Sequence, residues 1–573
     1  MTMLTPLPAE VASTTKTGIR GATQLLRGFA ARGVRTAFGI PGGAAGPLFD
    51  ALADVPQIDL VSTRHEATAV FAAIGHARAT GVPALVLVTS GPGVTNTLTG
   101  VACALAEEVP LIVVGGDVAT SWAGRGAFQD SSHMGLDVVS LLRNITRWSA
   151  TVYSPQMASG AAARAWFAAT SGRPGPVFLS VPYDVAQAVA YDGVLLGAAP
   201  SPPLVPDADA CRAAKELLAT AKRPLLVLGS GARNAQNEAV ALAEQVASPV
   251  VVTSHAKGVF PERHPLYLGL LGNGGHPSAH EYLLGRPDVV CVVGSRLGDF
   301  ATNAWRLPIA GRNATIQIDR DPLLIGRNAP VTLGIVGDAA LALAGMNDAA
   351  TSVRLPPVRE CVQFRMHEWA QSAAPGTVKP QRLVAAIGEA FAGAVFCSDI
   401  GEHMGFAQHY LTVDGPSRFH CMTGLGSMGS GLGAAIGIQH ARPDDKVVAF
   451  VGDGGFHMHV SELLTCVERR IDVVFVVFND GCWNMVEHGF RAVFRRRPSG
   501  LPTTVADIAA IARSYGADAH RIDCDDQLAP EALRSLQRAG VPLVLDVRID
   551  SSESLSRGAR SHALGLLGRA AGG

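Results

Sequence analysis

Gly452-Asp453-Gly454-Gly455 opens a segment that closes on Asn479-Asp480, with the two acidic residues 27 positions apart. A hard divalent cation takes oxygen ligands in near-octahedral geometry and commonly shares them with phosphates. Asp453, Asp480 and a backbone carbonyl about two residues later could supply three such oxygens. The spacing suits a strand–helix–strand crossover. Lys446 to Val451 reads as a buried parallel strand, a helix is expected over 459–469, and Val473 to Phe478 reads as the next strand. Two strands joined by one helical crossover bring Asp453 and Asp480 to the same sheet edge, where open α/β sheets bind ligands. GDGG alone is also an ordinary strand-to-helix turn; the acidic pair at crossover spacing is what favours a metal–phosphate site.

Near the other end of the chain, three further turns are expected to build one concave edge. They are Phe38-Gly39-Ile40-Pro41-Gly42-Gly43, Ser62-Thr63-Arg64-His65-Glu66 and Thr89-Ser90-Gly91-Pro92-Gly93. Glu66 falls at a strand-to-helix junction. On position alone, complementing a helix N-terminus explains it as well as catalysis does.

A chain of 573 residues cannot share one core, and about three or four domains is the natural expectation. With 48% hydrophobic residues, 63 glycines and 17% charged residues, it reads as a compact α/β enzyme rather than a disordered chain. A net charge of −1 leaves no nucleic-acid footprint. The nine cysteines are scattered without a CxxC pair, so neither a zinc cluster nor a disulfide framework is indicated. No apolar run is long enough to span a bilayer and no signal-peptide pattern opens the chain, so a cytoplasmic protein is expected.

Pro-rich stretches at 197–208 and 349–380, the second with a helical pattern near 361–371, divide the chain into three segments. Each alternates short apolar strands (85–88 and 111–114; 225–228, 250–253 and 289–293; 394–396, 447–451 and 473–478) with helices. That pattern indicates parallel sheets covered on both faces. No sequence-level repeat links them.

Seven stretches in one order along the chain resemble the thiamine diphosphate (ThDP) enzymes, and within them the acetolactate synthase family. They are GIPGG (39–43), RHEATAVFAAIGHARATG (64–81), TSGPGVTN (89–96), GAFQD (126–130), RPGPVFLSVP (173–182), GLGSMGSGLGAAIG (424–437) and GDGG…FND (452–480). The resemblance implies an α/β fold of three doubly wound parallel-sheet domains: pyrimidine-binding (18–190), central (205–347) and diphosphate/Mg-binding (378–560). It also implies a homodimer or homotetramer with sites between chains. Glu66 then matches the glutamate that shares a proton with the cofactor's aminopyrimidine, and a carboxyl in an apolar pocket suits proton donation near neutral pH. Gly43, Phe128 and Gln129 fall beside the reacting carbonyl. Ile40, Pro41, Gly42, Gly426, Met485 and Val486 fall along the cofactor, and Gly401, Glu402 and His403 fall against its diphosphate. Met428 matches the wedge that bends the cofactor, although a methionine in a glycine-rich stretch is otherwise core filler. Gly452, Asp453, Gly454, Gly455, Asp480 and Cys482 form the Mg²⁺ and diphosphate loop, with Asp453, Asp480 and the Cys482 carbonyl as metal ligands.

Four positions depart from the family pattern. Asp480 stands for asparagine, Glu402 for glutamine, Tyr183 for lysine, and Gly489 for a tryptophan that shapes the acceptor pocket. The first two add charge beside the diphosphate unless the carboxyls turn away. The last opens a volume once filled by a side chain that buries roughly 150–250 Å². The expected activity is therefore a carboligase that decarboxylates a 2-keto acid, pyruvate or a bulkier one, and adds the acyl unit to a second carbonyl, in specialised metabolism. The alternatives are a non-ligating decarboxylase or lyase, and a catalytically silent partner protein. FAD stays open, because Arg173, Gly272 and Arg296 to Asp299 only partly match the flavin pattern. Gly229-Ser230-Gly231 resembles a dinucleotide turn but lacks the third glycine, which disfavours a nicotinamide oxidoreductase. His457 and His459 read as packing or surface residues. Arg495-Arg496-Arg497 reads as a solvated loop, or less favourably as a lid that attracts a carboxylate.

Overall fold

The computed structural model of the protein describes residues 18–190, 202–347 and 372–555. The helix expected over 361–371, much of both linkers and the last residues of the third expected segment lie outside the described residues.

Each segment forms one six-stranded parallel sheet. The short apolar runs are strands with nearly every residue buried, as sheets covered on both faces require. In the first sheet the order is Asp59–Ser62, Thr36–Gly39, Leu85–Val88, Leu111–Asp117, Pro176–Pro182, Trp148–Thr151. The third runs Phe419–Cys421, Val395–Ser398, Val447–Gly452, Val474–Asn479, Leu543–Arg548, Asp518–Ile522. Counted within each segment, both orders are 2-1-3-4-6-5, so an architectural repeat exists where the sequence shows none. The central sheet instead runs Tyr267–Leu270, Val250–Val252, Pro224–Leu228, Val289–Val293, Ala314–Asp319, Leu333–Val336, the 3-2-1-4-5-6 order of doubly wound nucleotide-binding sheets.

In every such sheet, ligands bind where consecutive connections diverge to opposite sides. In the first sheet this crevice lies between Thr36–Gly39 and Leu85–Val88, whose ends carry GIPGG and TSGPG. In the third it lies between Val395–Ser398 and Val447–Gly452, whose ends carry Asp399 to Gly401 and GDGG. In the central sheet it lies between Pro224–Leu228 and Val289–Val293, ending in Gly229 and Gly294.

The first and third domains share a core through the helices Glu66–Thr80 and Ser430–Ala441. Their backbones meet at glycines: a Cβ on Gly437 would lie 1.9 Å from the Ala72 carbonyl oxygen, and one on Gly75 would lie 2.1 Å from that of Ala434. No helix among the described residues is long and apolar enough to cross a membrane.

Candidate functional site

The metal loop differs from its expected outline. The helix after Val447–Gly452 starts at Asp453 itself, runs Asp453–His459, and is followed by a second helix, Glu462–Arg469, rather than one helix over 459–469. The glycines are thus the first helical turn, and the Asp453 carboxylate sits at a helix N-terminus, where negative charge is favoured. Its Oδ2 accepts the Gly481 N–H at 2.7 Å, folding the second acidic segment onto the first. Asp480 Oδ1 accepts the Cys482 N–H at 3.0 Å, and its Oδ2 accepts from Asn484 Nδ2. Burial raises the pKa of Asp453 and, together with the Asp453 charge, pushes Asp480 up to about 7. Two carboxylates that repel each other are relieved by a cation. Among the described residues no three His, Cys, Asp or Glu side chains gather to hold a metal. Any ion here therefore completes its shell with backbone and ligand oxygens, as a hard cation does. The Cys482 thiol is engaged elsewhere: Sγ donates to Glu487 Oε2 at 2.9 Å, and burial first, then that bond, lift it to about 11.

On the neighbouring strand end, Gly401 precedes the helix Glu402–Tyr410. His403 is buried with Nε2 lacking any partner, and burial holds its pKa down to about 4. Its ring lies against Gly452, where a Cβ would approach His403 Cε1 to 3.2 Å. Glu402 has turned away from this edge. Its Oε1 lies 3.3 Å from His488 Nδ1 and accepts from Ser554 Oγ at 3.1 Å, and the pair raises the His488 pKa. The charge added by Glu402 is thereby met by a histidine on the helix Asn484–Phe494. That helix also carries Met485, Val486 and Gly489, and Gly489 is buried. Arg495, Arg496 and Arg497 are all exposed, as the solvated-loop expectation has it, although Arg497 also donates through Nε to Glu487 Oε2 at 2.9 Å and through Nη2 to the Pro502 carbonyl.

Met428 follows Gly426, whose φ is +76°, and its Cε lies 2.9 Å from where Gly454 would carry a Cβ. The turn is fixed by Asp399, which the sequence reading missed. Its buried carboxylate accepts the N–H groups of Gly429 at 2.7 Å and Gly431 at 3.0 Å, and burial raises its pKa to about 6. A Cβ on Gly455 would lie 2.1 Å from Asp399 Oδ2, so only glycine fits there.

In the first domain, Ile40, Pro41 and Gly42 follow Thr36–Gly39, and Gly43 opens the short helical turn Gly43–Ala45. Glu66 is the first residue of the helix Glu66–Thr80. It is half-buried, and its Oε2 accepts from Asn96 Nδ2 at 2.9 Å. Gln129 adopts φ +59° against Gly91, and Phe128 beside it is 86% exposed. No hydrogen bond of Glu66 reaches Asp453 or Asp480. The two domains are joined instead behind the metal loop, by Glu462 to the backbone of Arg64 and His65 and by His459 Nδ1 to Thr68 Oγ1 at 2.8 Å. His459 is packing, as expected, and His457 is exposed. Large apolar side chains stand in solvent around both half-sites: Trp122, Phe128, Met134 and Leu136 on one, Leu425, Met458, Val486 and Phe494 on the other.

A cavity of about 640 Å³ opens at the crevice of the central sheet. Arg78, Glu107, Arg233, His255, Arg296 and Asp319 are among its lining. Burial opposes ionisation of Glu107, yet His255 and Arg78 beside it hold it well below the usual carboxylate range. Arg173 lies outside this lining and is paired with Glu108 at 2.6 Å.

Comparison with known proteins bears on all three domains. Residues 19–136 match the N-terminal TPP binding domain of the thiamine pyrophosphate enzymes, 211–346 their central domain, and 399–547 their C-terminal TPP binding domain. The chain is 33% identical to the probable acetolactate synthase large subunit of Methanocaldococcus jannaschii, across 94% of this chain and 93% of that protein. The chain belongs to the thiamine pyrophosphate enzymes, as one of the acetolactate synthase type. Within that family it is also 33% identical to the acetolactate synthase isozyme 3 large subunit of Escherichia coli (93% and 96% covered) and 32% identical to isozyme 2 (94% and 97%).

Besides Asp399, the sequence reading of this thiamine pyrophosphate enzyme missed Asn96, Glu462 and Asn484. Asn96 ends the quoted TSGPGVTN stretch, and Asn484 sits four residues beyond Asp480, where spacing could have flagged it. Glu462 acts through partners distant in sequence, and no local pattern announces it.

Proposed function

We propose that this thiamine pyrophosphate enzyme is a Mg²⁺-dependent carboligase that decarboxylates a 2-keto acid, pyruvate or a bulkier one, and adds the acyl unit to a second carbonyl. The observation that carries this reading is the pairing of the buried Asp453 and the partly buried Asp480 at one crevice with Glu66 at another. When bound, thiamine diphosphate supplies the electron sink for decarboxylation. The chain's own residues hold, orient and shield it. Asp453, Asp480 and the Cys482 carbonyl would hold Mg²⁺ against the diphosphate, and the unpartnered Nε2 of buried His403, with Gly401, offers a polar wall beside it. Met428 would set the bend between the two rings, and Glu66 would hold the proton shared with the aminopyrimidine. Gly43, Phe128 and Gln129 would line the space of the acceptor carbonyl.

Glu66 and the metal loop share no hydrogen bond within the chain, and both half-sites are ringed by exposed apolar groups. This supports a homodimer, or a pair of dimers, in which residues 18–190 of one chain meet residues 378–560 of another, with the site dry only after assembly. The central domain, 205–347, carries the cavity. Its sheet order and the arginines and Asp319 lining it suit a dinucleotide such as FAD, for which an absorbance scan of purified protein is the direct check.

Gly489, buried where relatives of this type place a tryptophan, and Tyr183, half-exposed where they place a lysine, favour a bulkier acceptor and a specialised pathway in the cytoplasm. Mass spectrometry of products from a panel of 2-keto acids, alone and with added aldehydes, tests the reading. Hydroxyketone products dependent on ThDP and Mg²⁺ are expected; free aldehyde alone would establish a simple decarboxylase.

A further inference from the structure

Trp483 ends the loop after Asp480 and immediately precedes the helix Asn484–Phe494. Its indole edge lies on the metal loop: a Cβ at Gly454 would meet Trp483 Nε1 at 2.6 Å, Trp483 Cδ1 at 2.9 Å and Met428 Cε at 2.9 Å. Indole and thioether thus converge over the residue that follows Asp453. The Trp483 side chain is 38% exposed, and its indole N–H has no protein acceptor among the described residues, while its backbone carbonyl accepts the Val486 and Glu487 N–H groups.

A second observation points to the same ligand chemistry. His403, with 5% of its surface exposed, lies against Gly452 with Nε2 unpartnered. Two nitrogens without partners therefore flank the Gly452–Gly454 loop, one at each end. A polyanion along this loop would satisfy both. The two differ in kind. Neutral His403 donates through Nε2 only in the tautomer that carries its proton there, whereas an indole is a donor at every pH.

We propose that Trp483 is a positioning residue for the diphosphate, donating its N–H to a diphosphate oxygen while its ring covers the metal loop beside Met428. This rests on the ThDP reading above. It adds a side-chain contact at the Gly454 end of the loop, while His403 lies at the Gly452 end.

The test is a ThDP titration of the full-length apoprotein in Mg²⁺, read by tryptophan emission and in parallel by calorimetry. In the wild type, emission should change with the same midpoint as the heat. Trp483→Phe should lose most of that change and bind ThDP roughly 10–150-fold more weakly, the loss expected for one hydrogen bond to a charged group. Its kcat at saturating ThDP should stay within about twofold, because positioning through binding alone raises KM without lowering kcat. Trp483→Gln, which keeps an N–H donor without the ring, should bind ThDP more tightly than Trp483→Phe, a ranking that a merely structural role would not give. Heat of binding equal in wild type and Trp483→Phe, or an emission change that survives in Trp483→Phe, would overturn the proposal while leaving ThDP binding intact. Absence of any binding heat in the wild type would overturn the ThDP reading itself, and this proposal with it.

Discussion

The Glu462 carboxylate accepts the backbone N–H of His65 at 3.0 Å, tying the turn that carries Glu66 to the helix behind the metal loop. The same oxygen takes the Arg64 N–H at 3.0 Å, and Thr465 Oγ1 donates to the other oxygen at 2.7 Å. Two domains are thereby locked across a carboxylate that is fully buried.

Replacing Glu462 by alanine strands those two buried N–H groups, at a cost of about 1–3 kcal/mol for each group left unsatisfied. We expect a lower unfolding midpoint together with reduced kcat, because the turn holding Glu66 loses its anchor. Glu462→Gln, which keeps one acceptor oxygen, should recover part of both. Equal losses in the two variants, read by differential scanning calorimetry and initial rates, would remove the anchoring role.

If sites form between chains, two inactive variants can repair each other. Glu66→Gln and Asp453→Ala subunits, dissociated, mixed and reassociated, should recover up to about a quarter of wild-type activity, since half the dimers are hybrids with one intact site of two. A site contained within one chain would give no recovery.

The metal loop makes its own demand. Chelation by EDTA should abolish activity, and Mg²⁺ should restore it. Asp480→Ala should raise the Mg²⁺ concentration needed for half-maximal activity by tenfold or more and weaken ThDP in parallel, since in the proposed site the ion would be shared between protein and diphosphate. An unchanged Mg²⁺ requirement would remove Asp480 from the ligand set.

Buried histidines make the fold acid-sensitive. Burial holds His459 and His403 down to about 4 from an ordinary 6.5. Their neutral forms are favoured in the fold, so their contribution is complete above pH 6.5 and is lost as pH falls toward 4, on the order of 3 kcal/mol each at most. Asp399, raised to about 6, acts with the opposite sign, its contribution fading as pH rises from about 4 to 6. The net expectation is a thermal midpoint that drops between pH 6.5 and 4, with a shallower drop in His459→Gln. Parallel curves for the two proteins would contradict it.

Much of the fold could be read from the sequence because its strands are local, apolar and glycine-bounded. Leu85–Val88, Val289–Val293 and the strands on either side of the metal loop appear within a residue or so of expectation. The acidic pair was legible for the same reason: crossover spacing alone brings Asp453 and Asp480 together. The start of the helix at Asp453 was not, because three glycines in four residues argue for a turn until packing against Asp399 and Met428 makes their smallness necessary. Glu402 looked like an unwelcome charge, and only the spatial neighbour His488, 86 residues away, explains it. Asp399 and Glu462 were invisible for that reason too, since what they hold lies about 30 and nearly 400 residues away.

The most direct test of the central claim is deuterium exchange at the thiazolium C2 of bound ThDP, followed by acid quench and proton NMR. Wild-type protein with Mg²⁺ should exchange C2 far faster than free cofactor. Glu66→Gln should bind ThDP nearly as well and lose that acceleration by roughly 10²–10⁴-fold, the scale of a positioned proton-transfer group. Exchange in Glu66→Gln at the wild-type rate, with cofactor bound, would contradict the account.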